Sequence, residues 1–79
     1  MRIMPLWRLL PGQRGAVRRI ECSPELQARL EDLGLTPGLT VTCLHRAPSG
    51  SPTAYEIRGA AIALRRADAD MILVEVAEA

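Results

Sequence analysis

Cys22, Cys43 and His45 are the soft side chains, methionines apart, that could ligate a metal ion, and Ser49 and Ser51 are hydroxyls that could attack a substrate. Nucleophilic or acid–base chemistry needs a base held within hydrogen-bond reach of an oriented partner. The chain has 1 His, and Ser49 and Ser51 sit in a Pro- and Gly-rich stretch with no acid close by. Gly12-x-x-Gly15 lacks the Lys-Ser/Thr ending of a phosphate-binding loop and does not open a helix. No catalytic residue is assigned, and the chain is not expected to be an enzyme. Cys43 and His45 stand two apart, so on a regular strand they share a face with Val41. The chain has no Cys-x-x-Cys and no paired His, and a structural metal site usually needs four ligands. Cys43 is therefore expected in the core, and His45 half exposed at a strand end. No metal-binding residue and no cofactor is assigned; weak transition metal ion binding at Cys43 or His45 stays open.

The elements that would position these residues are short. Ser23-Pro24-Glu25-Leu26 is a helix start: a capping serine, a proline at the first helical position and an acid in the first turn. Leu26, Leu30 and Leu33 then recur at i, i+4 and i+7 as one apolar stripe. Gly34 follows as a left-handed closing residue, which would fold Leu35 back onto Leu30. Thr36-Pro37-Gly38 turns the chain into a strand over 39–46. Residues 47–52 form a loop, and 53–58, 61–64 and 71–76 read as further strands, with one helical turn over 65–70. Residues 15–22 are strand-like, but Val17 and Ile20 are out of phase, which predicts a bulge. Leu9-Leu10-Pro11-Gly12 and Leu35-Thr36-Pro37-Gly38 echo each other, and similar turns should launch two strands of one barrel.

At 79 residues the chain suffices for a single domain. Hydrophobic residues make up 48% and Phe is absent, so the core must be aliphatic. The expected architecture is all-β: a small SH3-like barrel of about five strands with one inserted short helix, its core over about 6–76. A net charge of +1 with 1 Trp and 1 Tyr gives no basic, aromatic stripe for nucleic acid. The basic pairs Arg18-Arg19 and Arg65-Arg66 read as solvated surface. No run approaches the roughly 20 apolar residues of a membrane span, and no signal peptide is visible, so a cytoplasmic location is expected, with reduced thiols.

Taken together, Leu6, Leu9, Pro11-Gly12, Gly15 and Val17, then Leu30-x-x-Leu33-Gly34-Leu35-x-Pro37-Gly38 and Val41, resemble the FeoA family. Gly59 and the tail Ile62-Ala63-Leu64-Arg65-x-x-Asp68-Ala69-x-x-Ile72-x-Val74 extend the resemblance over most of the chain. The family loop often reads Gly-Asp-Pro where this chain has Gly50-Ser51-Pro52. The resemblance implies a small cytoplasmic SH3-like accessory protein of bacterial ferrous iron uptake. Its partner would be FeoB, the membrane GTPase transporter, and the protein would work by contact at the inner face of the membrane without inserting. The same domain type ends metal-dependent repressors, which carry DNA-binding helices upstream; a nucleic-acid-binding or regulatory SH3-like module is the alternative reading. Leu30, Leu33, Leu35, Pro37 and Leu39 cluster where the helix meets the turn, and they are the candidate docking surface for the transporter or for a second copy of the chain.

Overall fold

A computed structural model describes residues 1–77; residues 78 and 79, which the single-domain expectation includes, lie outside the described residues. Six strands, β1 (Arg2–Pro5), β2 (Arg14–Ile20), β3 (Thr40–Arg46), β4 (Thr53–Ile57), β5 (Ala60–Leu64) and β6 (Ile72–Val76), form one sheet. Its order is β1-β6-β2-β3-β4-β5, with every neighbour antiparallel. Helix α1 (Pro24–Asp32) is inserted between β2 and β3, and the short α2 (Arg66–Ala69) between β5 and β6. The five expected strands are present. β1 is the addition: its four residues hold Arg2 and Pro5 and show no alternation, yet they pair with β6 from Arg2↔Val76 to Pro5↔Leu73. Proline is tolerated on an edge strand, whose outer N–H groups have no ladder partner.

The two Leu-x-Pro-Gly turns are structurally equivalent. Gly12 and Gly38 both take positive φ (88° and 93°). The Gly12 N–H donates to Cys43 O at 2.7 Å and the Cys43 N–H returns a bond to Gln13 O at 2.9 Å. At the same sequence offset, Gly38 donates to Val17 O at 2.7 Å and Val17 donates to Leu39 O at 2.8 Å. Each turn thus clips the strand launched by the other. The equivalence continues into the strands: β2 and β3 share one burial pattern, and both ladders slip, between Val17 and Arg19 and between Cys43 and His45. The β2 bulge was foreshadowed by the phase of Val17 and Ile20. Gly15, opposite Val41 at the centre of this pair, is closely packed: a Cβ there would lie 3.0 Å from two Val74 side-chain carbons, which would have to shift to admit it.

Bulges bend a sheet, and side chains from β3 and β4 then bond to the segment that follows β1. Arg46 Nη2 on β3 donates to the carbonyls of Trp7 and Leu9 at 2.6 and 2.8 Å, beyond the end of β1. Tyr55 Oη on β4 reaches Leu6 O at 3.4 Å. The enclosed core is aliphatic apart from Tyr55 and Cys43, with Leu6, Leu9, Leu35, Val41, Ile57, Ile72 and Val74 all removed from solvent. Among the described residues no buried side-chain N or O atom lacks a hydrogen-bond partner.

Burial raises the Cys43 thiol above its ordinary value, and raises Tyr55 by the same cause with Cys43 adding to it; Cys22 is raised by desolvation and by nearby Asp68. For all three, the unfolded chain releases the proton first. The stability these groups contribute is present in full below their unfolded values, about 8.5 for Cys and 10 for Tyr, and is lost as pH rises through the higher folded values. Thermal melts should therefore show a midpoint that falls steadily through the alkaline range. In Cys43→Ala that fall should be shallower, with Cys22 and Tyr55 left to drive it.

Candidate functional site

The bulge in β3 decides the cysteine–histidine question. It makes Leu44 the extra residue, so Cys43 opposes Tyr55 and His45 opposes Ala54. Cys43 points into the core, fully buried, while His45 is exposed beside Leu44 and Arg46 turns inward. Cys43 and His45 therefore do not share a face, which corrects the regular-strand expectation. Cys22, half-buried, stands beyond β2 near Asp68. Among the described residues no group of three or more His, Cys, Asp and Glu side chains could hold a metal ion. Ser49 and Ser51 serve the loop itself: Ser49 Oγ donates to Ser51 O at 2.8 Å, and Ser51 Oγ accepts the Arg66 N–H at 3.1 Å, capping α2.

The leucine cluster sits on a well-made helix end. Ser23 Oγ accepts the Leu26 N–H at 3.3 Å with Pro24 behind it, as the sequence indicates. At the other end Gly34 has φ +94°, its N–H donates to Glu31 O at 2.8 Å, and the Leu35 N–H donates to Leu30 O at 2.9 Å. That pair of bonds satisfies two carbonyls of the last turn and packs Leu35 with Leu30. The Arg58 side chain lies over Gly34 in the space a Cβ would take. Gly34→Ala meets both obstacles, so it should destabilise the chain by about 1–2 kcal/mol, read from the urea midpoint.

Burial divides the five candidate residues. Leu35 is fully buried and backs the surface from the core, while Leu30, 1% exposed, lies at the floor of the groove onto which Leu33 opens. Leu33 is 43% exposed, Pro37 is exposed and Leu39 is half-buried. Leu33 instead opens onto a groove between α1 and β5, of about 310 Å³, where it joins Leu26, Ile62 and Leu64. Arg29, Arg65 and Asp68 rim it, and Arg65 pairs with Asp68 at 3.5 Å. Neither Pro37 nor Leu39 lines this groove.

Sequence reasoning passed over the strand side of this groove, since 61–64 reads only as one more short strand. Trp7 was also passed over. Its Nε1–H donates to Asp70 Oδ1 at 2.6 Å and Arg66 lies 3.9 Å from its ring centroid, so the indole ties the 3-10 turn at Leu6–Arg8 to α2. Arg66 is thereby engaged, and Arg18 pairs with Glu75 at 2.7 Å and Arg19 with Glu21 at 3.4 Å. No helix among the described residues is long and apolar enough to cross a membrane.

A curled antiparallel sheet of six strands with one inserted helix and an aliphatic centre is a small SH3-like domain. The chain belongs to the FeoA family: the FeoA domain model matches residues 4–76. An iron uptake regulatory protein (FeoA) is similar over 95% of this chain and 97% of its own, at 28% identity and a TM-score of 0.83. Iron(II) transport protein A from Clostridium thermocellum is 40% identical with a TM-score of 0.88; the match takes in 92% of this chain but 45% of that one. FeoA from Chlorobium tepidum is 34% identical, with a TM-score of 0.87, over 92% of this chain and 70% of that one. FeoA from Stenotrophomonas maltophilia, described as an SH3 domain protein, and a manganese-dependent transcriptional repressor share the fold at 24% and 21% identity. No curated protein matches the chain. The family is associated with ferrous iron transport.

Proposed function

We propose that this chain is a non-enzymatic accessory protein of bacterial ferrous iron uptake, acting by contact with the FeoB-type membrane GTPase at the cytoplasmic face. The observation that carries this reading is the FeoA match across residues 4–76, nearly the whole described chain. The site residues are consistent with it: the groove between α1 and β5 is walled by Leu26, Leu30, Leu33, Ile62 and Leu64, with the exposed Leu33 at its mouth and charged residues at its rim. The nucleic-acid alternative has less support, since Tyr55 is buried and Arg66 stacks on Trp7, and the net charge is only +1.

The test is capture of the detergent-solubilised membrane GTPase on the immobilised chain. The wild type should retain it. Leu33→Arg, which changes a surface residue, should lose retention while keeping the wild-type melting midpoint. Equal retention by Leu33→Arg would remove the groove from the reading, and no retention by the wild type would remove the partner.

A further inference from the structure

The strand side of the groove has a property that the leucines alone do not show. The β4–β5 hairpin turns on Arg58 and Gly59, both at positive φ (52° and 85°), the two-residue turn that suits the twist of paired strands. The residues flanking such a turn, Ile57 and Ala60, form a hydrogen-bonded pair, and bonded and non-bonded pairs then alternate. Following the register, Tyr55↔Ile62 and Thr53↔Leu64 are bonded pairs, while Glu56↔Ala61 and Ala54↔Ala63 are not. The N–H and C=O groups of Ala61 and Ala63 therefore point away from β4. β5 is the last strand of the sheet order, so they point to an open edge.

Exposed edges are normally blunted by charge, proline or a bulge. The opposite edge, β1, has Arg2 and Pro5. β5 is Ala-Ala-Ile-Ala-Leu, with no charged residue, no proline and no slip in its ladder. This unprotected edge runs along the groove, whose far wall is the Leu26–Leu33 side of α1. A strand laid on β5 would bond to Ala61 and Ala63 and would drop alternate side chains between Leu26, Leu30 and Leu33 on one wall and Ile62 and Leu64 on the other. Arg29 at the rim has no ion-pair partner among the described residues, so an acidic residue on the incoming segment would meet it.

We propose that the open edge of β5 takes up an extended peptide segment of a partner protein as an added strand, its alternate apolar side chains seated in the groove under α1 and an acidic residue against Arg29. The proposal rests on the reading that this groove is the docking surface. A second copy of the chain paired through β5 fits less well, since β5 carries no acidic residue to meet Arg29.

The test is an NMR titration of the full ¹⁵N-labelled chain with a synthetic, end-capped peptide alternating valine and threonine between terminal glutamates. Hydrogen exchange at the Ala61 and Ala63 amides should slow by about tenfold or more at saturation, with the Leu33 methyl signals shifting. Ala63→Pro removes an outward N–H without touching the β4–β5 ladder, and should weaken the peptide by about tenfold; Ala63→Val, which keeps the N–H, should bind like the wild type. A peptide that leaves both amides exchanging as in the free chain overturns the proposal, as does equal binding by Ala63→Pro. Protection of these amides by raising the protein concentration alone would assign the edge to a second copy and likewise overturn it. Capture of the membrane GTPase separates the two readings. Retention by wild type and Ala63→Pro alike would keep the transport partner and remove the strand-addition mode. Peptide protection without GTPase retention would keep the edge site and remove that partner.

Discussion

Leu30→Ala is expected to destabilise the chain by about 2–5 kcal/mol, the cost of a cavity under a fully enclosed leucine. Leu30 is 1% exposed, and its carbonyl accepts the Leu35 N–H that closes α1. α1 has Leu30 as its one fully buried residue, with Leu26 only half-buried against the core. Truncating Leu30 therefore removes the main apolar anchor of the helix. A domain of this size has few kcal/mol to lose, so urea melts should show a large drop in midpoint, with loss of helical signal at or before the main transition. Loss of partner capture by Leu30→Ala would follow from the loosened helix. This is why the surface variant Leu33→Arg, and not a change at Leu30, is the informative probe of docking. A Leu30→Ala midpoint within 1 kcal/mol of wild type would mean that the helix is held elsewhere.

Arg46→Leu is expected to cost about 2–3 kcal/mol. The Arg46 guanidinium donates from Nη2 to both Trp7 O and Leu9 O, at 2.6 and 2.8 Å. Hydrogen bonds to a charged donor are worth more than neutral ones, and the leucine would leave both carbonyls facing an apolar side chain. The pair of bonds joins β3 to the segment after β1, so its loss should release the N-terminal segment first. Hydrogen exchange would read this as faster exchange at Leu9, whose N–H bonds to Leu6 O within the 3-10 turn, with little change at the β4–β5 hairpin. Uniform acceleration across the sheet would instead assign Arg46 to global stability.

Much of the fold was legible because local chemistry dictated it. The Ser23 cap, the Gly34 closure and the Leu35-to-Leu30 contact depend on residues within one turn of each other, and each is present. The β2 bulge was legible because Val17 and Ile20 fall out of alternation. The β3 bulge was not, since Val41, Cys43 and His45 alternate without a break and Leu44 is itself apolar. The echo of the two Pro-Gly turns carried the missing signal: at that offset Leu44 corresponds to Arg18, the extra residue of β2. β1 escaped notice because a four-residue edge strand containing proline carries no periodicity.

The division at the candidate site follows the same line. The sequence by itself determined that the helix ends on a glycine and that leucines gather there. It could not divide those leucines into core and surface, because one helical stripe contains Leu30 and Leu33 alike. Only the packing of α1 against the rest of the chain buries the first and leaves the second at the mouth of a groove. Nor could it mark β5 as an edge. Whether a strand's outward N–H and C=O groups are paired depends on which strands lie beside it, and that is settled by contacts between residues far apart in the chain.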